Sequence, residues 1–388
     1  MSDTREKKEG IAFSLIMMII FASFAMRSPM GCIGPLMDEI RSSLGLSATL
    51  GGLISTLTML MFSFASPFAV VLSEKIELKR VLPLSFAVIT LGVVLRSLGS
   101  VFFLFSGTVI MGFGTGLSNV AVPSFFKEYY PEKNGRLTGI YSASLTVASA
   151  STAAFIEPLA SSLGGWNLAL LSVFLFPLGA LAFSLRYVSL ESAESKNSGT
   201  SSQEGSSLKR KIMVAVYMGL QSLLFFTVLT WYPTMITGTR EIGVNGGLLI
   251  TITQIASFFP AYIIPVVCNS KNITKLSLVL PLLFIPGIAA AYFIHNSAVL
   301  IAGTVLFGLS LGATFSMGIT LCAVYGKNGG DTARMVSFGQ CLGYLLAAFG
   351  PTLFGTVYDV TSSWTGTVVM MMVLPAVMSV TALGIRKE

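Results

Sequence analysis

Charge is scarce in this chain. Only 11% of its residues are Asp, Glu, Lys or Arg, where an average soluble domain has about a quarter. A folded chain with so little charge cannot cover its surface with polar groups, which excludes a soluble enzyme, a nucleic-acid binder and a disordered protein. Histidine is nearly missing: His295 stands alone at an apparent helix end, so neither a Ser/His/Asp nor a metal-ligand constellation can be assembled, and no cofactor or metal is expected. The four cysteines (Cys32, Cys268, Cys322, Cys341) fall inside apolar stretches without CxxC spacing and read as small core residues. There is no GxxxxGK[ST] phosphate loop, which argues against a nucleotide-driven machine. No cleavable leader is expected, because the first apolar run leads straight into further runs.

Apolar residues are what the chain has in excess, 53% of the total with a mean hydropathy of +0.80. Uncharged runs cover 42–73, 97–126, 137–156, 158–185, 212–239, 242–270, 276–326, 335–358 and 360–385. A helix needs about 20 apolar residues to cross the hydrocarbon. On that scale the 51-residue run 276–326 holds two helices, split at His295-Asn296. Twelve membrane-spanning helices are expected, over 11–36, 47–72, 79–98, 101–126, 137–163, 166–187, 211–236, 245–269, 274–294, 297–324, 334–358 and 364–385. The fold class is therefore an all-α membrane protein.

The Lys and Arg residues set an orientation. With the N-terminus in the cytoplasm, 20 of the 24 lie in cytoplasmic segments, three (Arg41, Arg96, Arg240) lie outside, and Arg27 lies within a span. Both termini are expected inside, in the cytoplasmic (inner) membrane, and the pI of 9.2 is explained without a nucleic-acid partner. The Ser/Gly/Glu-rich segment 188–210 cannot bury apolar area and reads as a cytoplasmic linker. It divides the chain into an N-terminal six-helix bundle, 11–187, and a C-terminal one, 211–388.

The two halves share a register. Residues 107–116 read GTVIMGFGTG and residues 303–312 read GTVLFGLSLG, so Gly107, Thr108, Val109, Gly112 and Gly116 recur 196 residues later. The same offset carries Lys75 to Lys271 and Lys79 to Lys275. Two six-helix halves in parallel orientation form the repeat of the major facilitator fold. The glycines four apart suit close helix packing, with backbone approach to a solute as the other reading.

Specific residues carry a resemblance to that superfamily. The segment Val70–Arg80 (VVLSEKIELKR) resembles its cytoplasmic loop signature in charge pattern only. Glu74 stands at the acidic position and Lys75, Lys79 and Arg80 at the basic ones, while Val70 and Glu77 replace both glycines. The resemblance implies a cytoplasmic gate loop with an ion-pair latch; a solvated loop is the other reading. More narrowly, the chain is similar to the cyanate permease and 2-nitroimidazole transporter group. Met26-Arg27 with Pro29 and Gly34-Pro35-Leu36, the run GTGLSNVAVPSFFKEYYPEKNGRLTGIYSASL at 114–145, Tyr217-x-Gly219-Leu220-Gln221 with Trp231-x-Pro233, Gln254 and Gln340 carry that similarity. It implies secondary active or facilitative movement of a small polar or anionic solute by alternating access, with no enzymatic activity.

Arg27 is the strongest single candidate for solute binding. It lies ~24 Å along its helix, where a charge is expensive unless it faces a cavity or partner. Its guanidinium is a permanent planar fork of donors matched to a planar anion; a structural ion pair and a misjudged helix end are the alternatives. Glu157 could serve proton coupling, pair with Arg27 or simply meet water. Gln221, Gln254 and Gln340 should face the interior, either toward a solute or bonding neighbouring helices. Asn119 and Tyr141 are further candidates. Trp231 lies where an interfacial belt or a gate over the solute is expected, and Arg96 is expected to snorkel. The partners expected are a small anionic solute, protons and lipid, with the chain acting as a monomer. An exporter of apolar or weakly basic compounds using Glu157, and a non-transporting sensor, are the competing readings.

Overall fold

In a computed structural model the chain is described over residues 2–190, 207–237, 245–268, 271–325 and 329–385. The linker predicted at 188–210 falls largely outside these residues. The described residues are almost wholly helical, in fifteen α-helices: α1 (Ser2–Gly31), α2 (Ile33–Leu44), α3 (Ala48–Lys75), α4 (Leu78–Arg96), α5 (Val101–Tyr129), α6 (Asn134–Leu163), α7 (Trp166–Ser172), α8 (Leu175–Leu190), α9 (Leu208–Thr237), α10 (Gly246–Val267), α11 (Ile273–Leu282), α12 (Phe284–Phe293), α13 (Ser297–Tyr325), α14 (Gly329–Thr361) and α15 (Trp364–Ile385).

Among the described residues eleven helical segments are long and apolar enough to cross a membrane. The remaining predicted span, 137–163, is carried by the 30-residue α6, rich in Ser and Thr and containing Glu157. Two of the eleven segments are helix pairs in line. Proline explains both breaks: Pro177 and Pro286 have no N–H to bond the carbonyls of Val173 and Leu282, where α7 and α11 give out. Helix starts are set by side-chain oxygens, Ser100 accepting from the Phe103 amide and Asn245 from that of Leu248. Within the helices Thr108, Thr115, Ser118 and Thr304 each donate to the carbonyl four residues back, so their hydroxyls are satisfied without water.

The chain packs as two compact units, residues 1–32 with 60–200 and residues 33–59 with 201–388. In the first, Met18, Ile19 and Ala22 of α1 share a core with Val81, Phe86 and Ile89 of α4 and Phe125 and Phe126 of α5. In the second, the hydroxyls of Tyr232 and Thr304 share a hydrogen bond of 2.6 Å, and the Tyr232 ring packs edge-on against Phe307. Large apolar side chains such as Phe64, Phe155, Tyr262 and Val266 are exposed, as helices facing lipid require.

The internal repeat has a physical counterpart in each unit. A Cβ on Gly107 would overlap the α4 backbone at Arg96, and one on Gly303 would meet α12 at Gly287 and Ala291. Likewise Gly116 meets α3 at Ala65 and Phe62, and Gly312 meets α10 at Ser257. The repeated glycines let backbones touch.

Candidate functional site

The second unit contains a small pocket of about 10 Å³ between α9, α13 and α14. Met218, Gln221 and Ser222 supply its α9 wall at spacings of three and four, so all three share one helix face. Gly339, Gln340, Gly343 and Tyr344 repeat that pattern on α14, and Thr314 and Phe315 come from α13. The approach of α9 to α14 depends on small residues: a Cβ on Gly219 would lie 3.1 Å from the Cα of Gly343. Two of the three predicted glutamines thus meet in one place.

Gln221 is buried but loosely held. Its Nε2 donates to the Leu311 carbonyl at 3.5 Å, and its Oε1 accepts from Ser222 at 3.4 Å, both at the long limit for a hydrogen bond. A solute that offers better geometry can therefore claim the amide. Gln340 is half-buried opposite it. Amide donors and acceptors, three hydroxyls (Ser222, Thr314, Tyr344) and the Phe315 ring line the pocket, and none of the lining residues is charged. Gln254 is buried on α10 and is not among the residues lining this cavity.

Trp231 does not present its ring to an interface. It is fully buried, donates from Nε1 to the Pro351 carbonyl at 2.8 Å, and lies against Trp364 with centroids 5.1 Å apart. Position along the helix fixes its depth; it has no means of showing that α14 and α15 cover it.

In the first unit Arg27 is half-buried on α1, between Met26 and Ser28. Those neighbours are committed to α6: Ser28 accepts from Thr152 at 2.8 Å, and Met26 Sδ accepts from the Tyr141 hydroxyl at 3.2 Å. Tyr141 is accordingly a buried packing residue, its ring edge-on to Phe126. Asn119 on α5 and Glu157 on α6 are both half-buried. Arg96 departs from expectation. Only 1% exposed, it does not snorkel but donates from Nη1 to the carbonyl of Pro29 at 2.8 Å, next to the break between α1 and α2.

In the loop after α3, where the Glu74 side chain lies outside the described residues, Glu77 accepts from Lys79 at 3.2 Å and lies 3.8 Å from Arg80 Nε. Glu77 stands where the signature has glycine, so the charge pattern of the signature passes over it; its place immediately before α4 is what a helix N-terminus favours for an acid. Lys75 is exposed.

Comparison with known proteins agrees with this architecture. The sequence model of the Major Facilitator Superfamily matches residues 15–351. The 2-nitroimidazole transporter of Escherichia coli (strain K12) is 30% identical over 371 residues, 94% of this chain and 93% of that protein. The cyanate transport protein CynX of the same organism is 21% identical over 351 residues, 90% of this chain and 91% of that one. Among solved structures, the inward open conformation of the xylose transporter XylE from E. coli superposes with a TM-score of 0.74 at 12% identity, over 96% of this chain and 95% of that one.

Proposed function

Since the chain belongs to the Major Facilitator Superfamily, and within it to the cyanate and 2-nitroimidazole transporter group, it is a membrane transporter and not an enzyme, and we propose that its cargo is a small, planar, anionic solute carried by alternating access. The observation that carries this reading is the pocket whose wall brings Gln221 and Gln340 together between α9 and α14. The Gln221 amide is held there only by long bonds, so it is open to exchange for a better partner.

The anionic preference rests on Arg27. A guanidinium within a span offers two parallel donors to a planar oxyanion, and a charge-assisted bond is roughly twice as strong as a neutral one. The names of two relatives point to small, compact cargo, linear cyanate in one case and the planar 2-nitroimidazole in the other. Residence in the cytoplasmic membrane as a monomer with both termini inside, and coupling to protons through Glu157, belong to the same proposal.

A second reading follows from the uncharged lining of the cavity: a neutral heterocycle held by the two amides alone. Purified protein in proteoliposomes separates the two. Uptake of labelled cyanate that is lost in Arg27→Gln supports the anion. Uptake of 2-nitroimidazole that survives Arg27→Gln but falls in Gln340→Ala supports the heterocycle. A chain that accumulates neither, while folded, would overturn both substrate assignments.

A further inference from the structure

The start of α3 is finished by a side chain from another helix. An α-helix leaves its first four N–H groups without partners inside the helix. Here Ser47 serves one of them, its Oγ accepting from the Leu50 amide, while its carbonyl takes the first intrahelical bond, from Gly51. The first two, Ala48 and Thr49, donate to Asp359 near the end of α14, at 2.9 Å to Oδ1 and 2.7 Å to Oδ2. The Thr49 hydroxyl adds a third bond to Oδ2 at 2.6 Å and lies 3.1 Å from that of Thr356. One carboxylate thus accepts three bonds while sitting at the positive end of α3, where an anion is favoured.

Asp359 sits at the end of a seam between α3 and α14. Along it α2 and the first turns of α3 lie on α9 and α14, all within the second unit. Gly52 and Gly355 bring backbones together, their Cβ positions overlapping the Pro351 and Ala48 carbonyls. Further cross-links are hydroxyl bonds: Ser55 with Thr230 at 2.7 Å, Thr56 with Thr352 at 2.8 Å and with the Ala348 carbonyl, and Thr234 donating to Asp38 at 3.1 Å. Arg41 lies over the rings of Trp231 and Tyr358, 5.7 and 5.9 Å from their centroids. α2 and the start of α3 also bury Ile33, Leu36, Met37, Ile40 and Ile54, so apolar packing accompanies these polar links. Asp359 is itself exposed and adds a charged acceptor at the helix end, where an anion is favoured.

We propose that Asp359 is a positioning residue of the transport cycle: by tying α14 to the first amides of α3 it holds this seam closed, and its release is a step in each turnover. The proposal rests on the alternating-access reading above, because helices from before and after the 188–210 linker meet at the seam and must exchange partners if the halves alternate.

The test uses the full chain, purified in detergent, with Ser55→Cys as a reporter inside the seam and maleimide labelling rate as the readout; the parent chain gives the background from native thiols. In Asp359→Asn the rate should rise roughly three- to thirtyfold, the scale of losing a charged partner at a helix N-terminus. Asp359→Glu, which keeps the charge, should stay close to the parent. An oxidised Thr49→Cys/Thr356→Cys pair should abolish labelling of the reporter and restore it on reduction. Equal rates with Asp and Asn, or a Glu variant as fast as Asn, would overturn the proposal. No solute enters the measurement, so failure here leaves the cargo assignment standing, and failure of the uptake experiment leaves this one standing.

Discussion

At Arg27 the difference between charge and shape can be measured. Arg27→Lys keeps the positive charge but loses the planar fork, so cyanate affinity should fall while the protein still folds; Arg27→Gln should abolish binding. A titration of cyanate against the purified variants gives the order, and a Gln variant that binds as well as wild type would make the arginine structural. The glutamines separate in the same way. Gln340 lines the cavity with Gln221, whereas Gln254 is buried on α10 outside that lining. Gln340→Ala should therefore weaken binding by ~1 kcal/mol, the size of a neutral hydrogen bond, and Gln254→Ala should leave affinity alone and lower thermal stability instead. Equal loss of affinity in both would move Gln254 into the site. Residue type marks these positions in the sequence, because an amide in an apolar run is conspicuous. The pairing of Gln221 with Gln340 is not marked, since it needs the Gly219–Gly343 approach. Arg96 and Trp231 depart from expectation for a related reason: counting along one helix locates depth but not what the next helix covers.

Elements are more legible than sites. Hydropathy locates the eleven strongly apolar spans, and the 196-residue repeat identifies glycines that prove to be contact points in both units. What hydropathy passes over is a break inside a span, because Pro177 and Pro286 interrupt hydrogen bonding without changing apolar character. The glycine contacts have a direct test. Gly312→Leu would drive a side chain into the Ser257 carbonyl on α10, and should cost ~1–3 kcal/mol or force the helices apart. Thermal unfolding of the purified variant should show the loss. Gly366→Leu is the control, since a Cβ at Gly366 meets only the Val357 side chain, at 3.3 Å. Similar melting of the two variants would remove the packing role of the repeat.

For the whole molecule, helical content, spans and the superfamily follow from composition and repeat. The grouping of residues 33–59 with the second unit does not, because carboxylate-to-amide bonds between distant helices leave no periodic trace. The polar character of α6 bears on a stage before folding is complete. Its hydroxyls find partners in part within the helix, Thr146 on Ser142 and Ser151 on Val147, and in part on α1, where Thr152 donates to Ser28. A nascent segment with so many hydroxyls and an acid partitions poorly from the translocon into lipid by itself. Presented alone in a host protein with glycosylation sites on either flank, residues 134–163 should insert less than half as often as 101–126; equal insertion would mean the segment needs no help. Reduced insertion would make α1, whose Ser28 accepts from Thr152, an assembly factor for the fifth span.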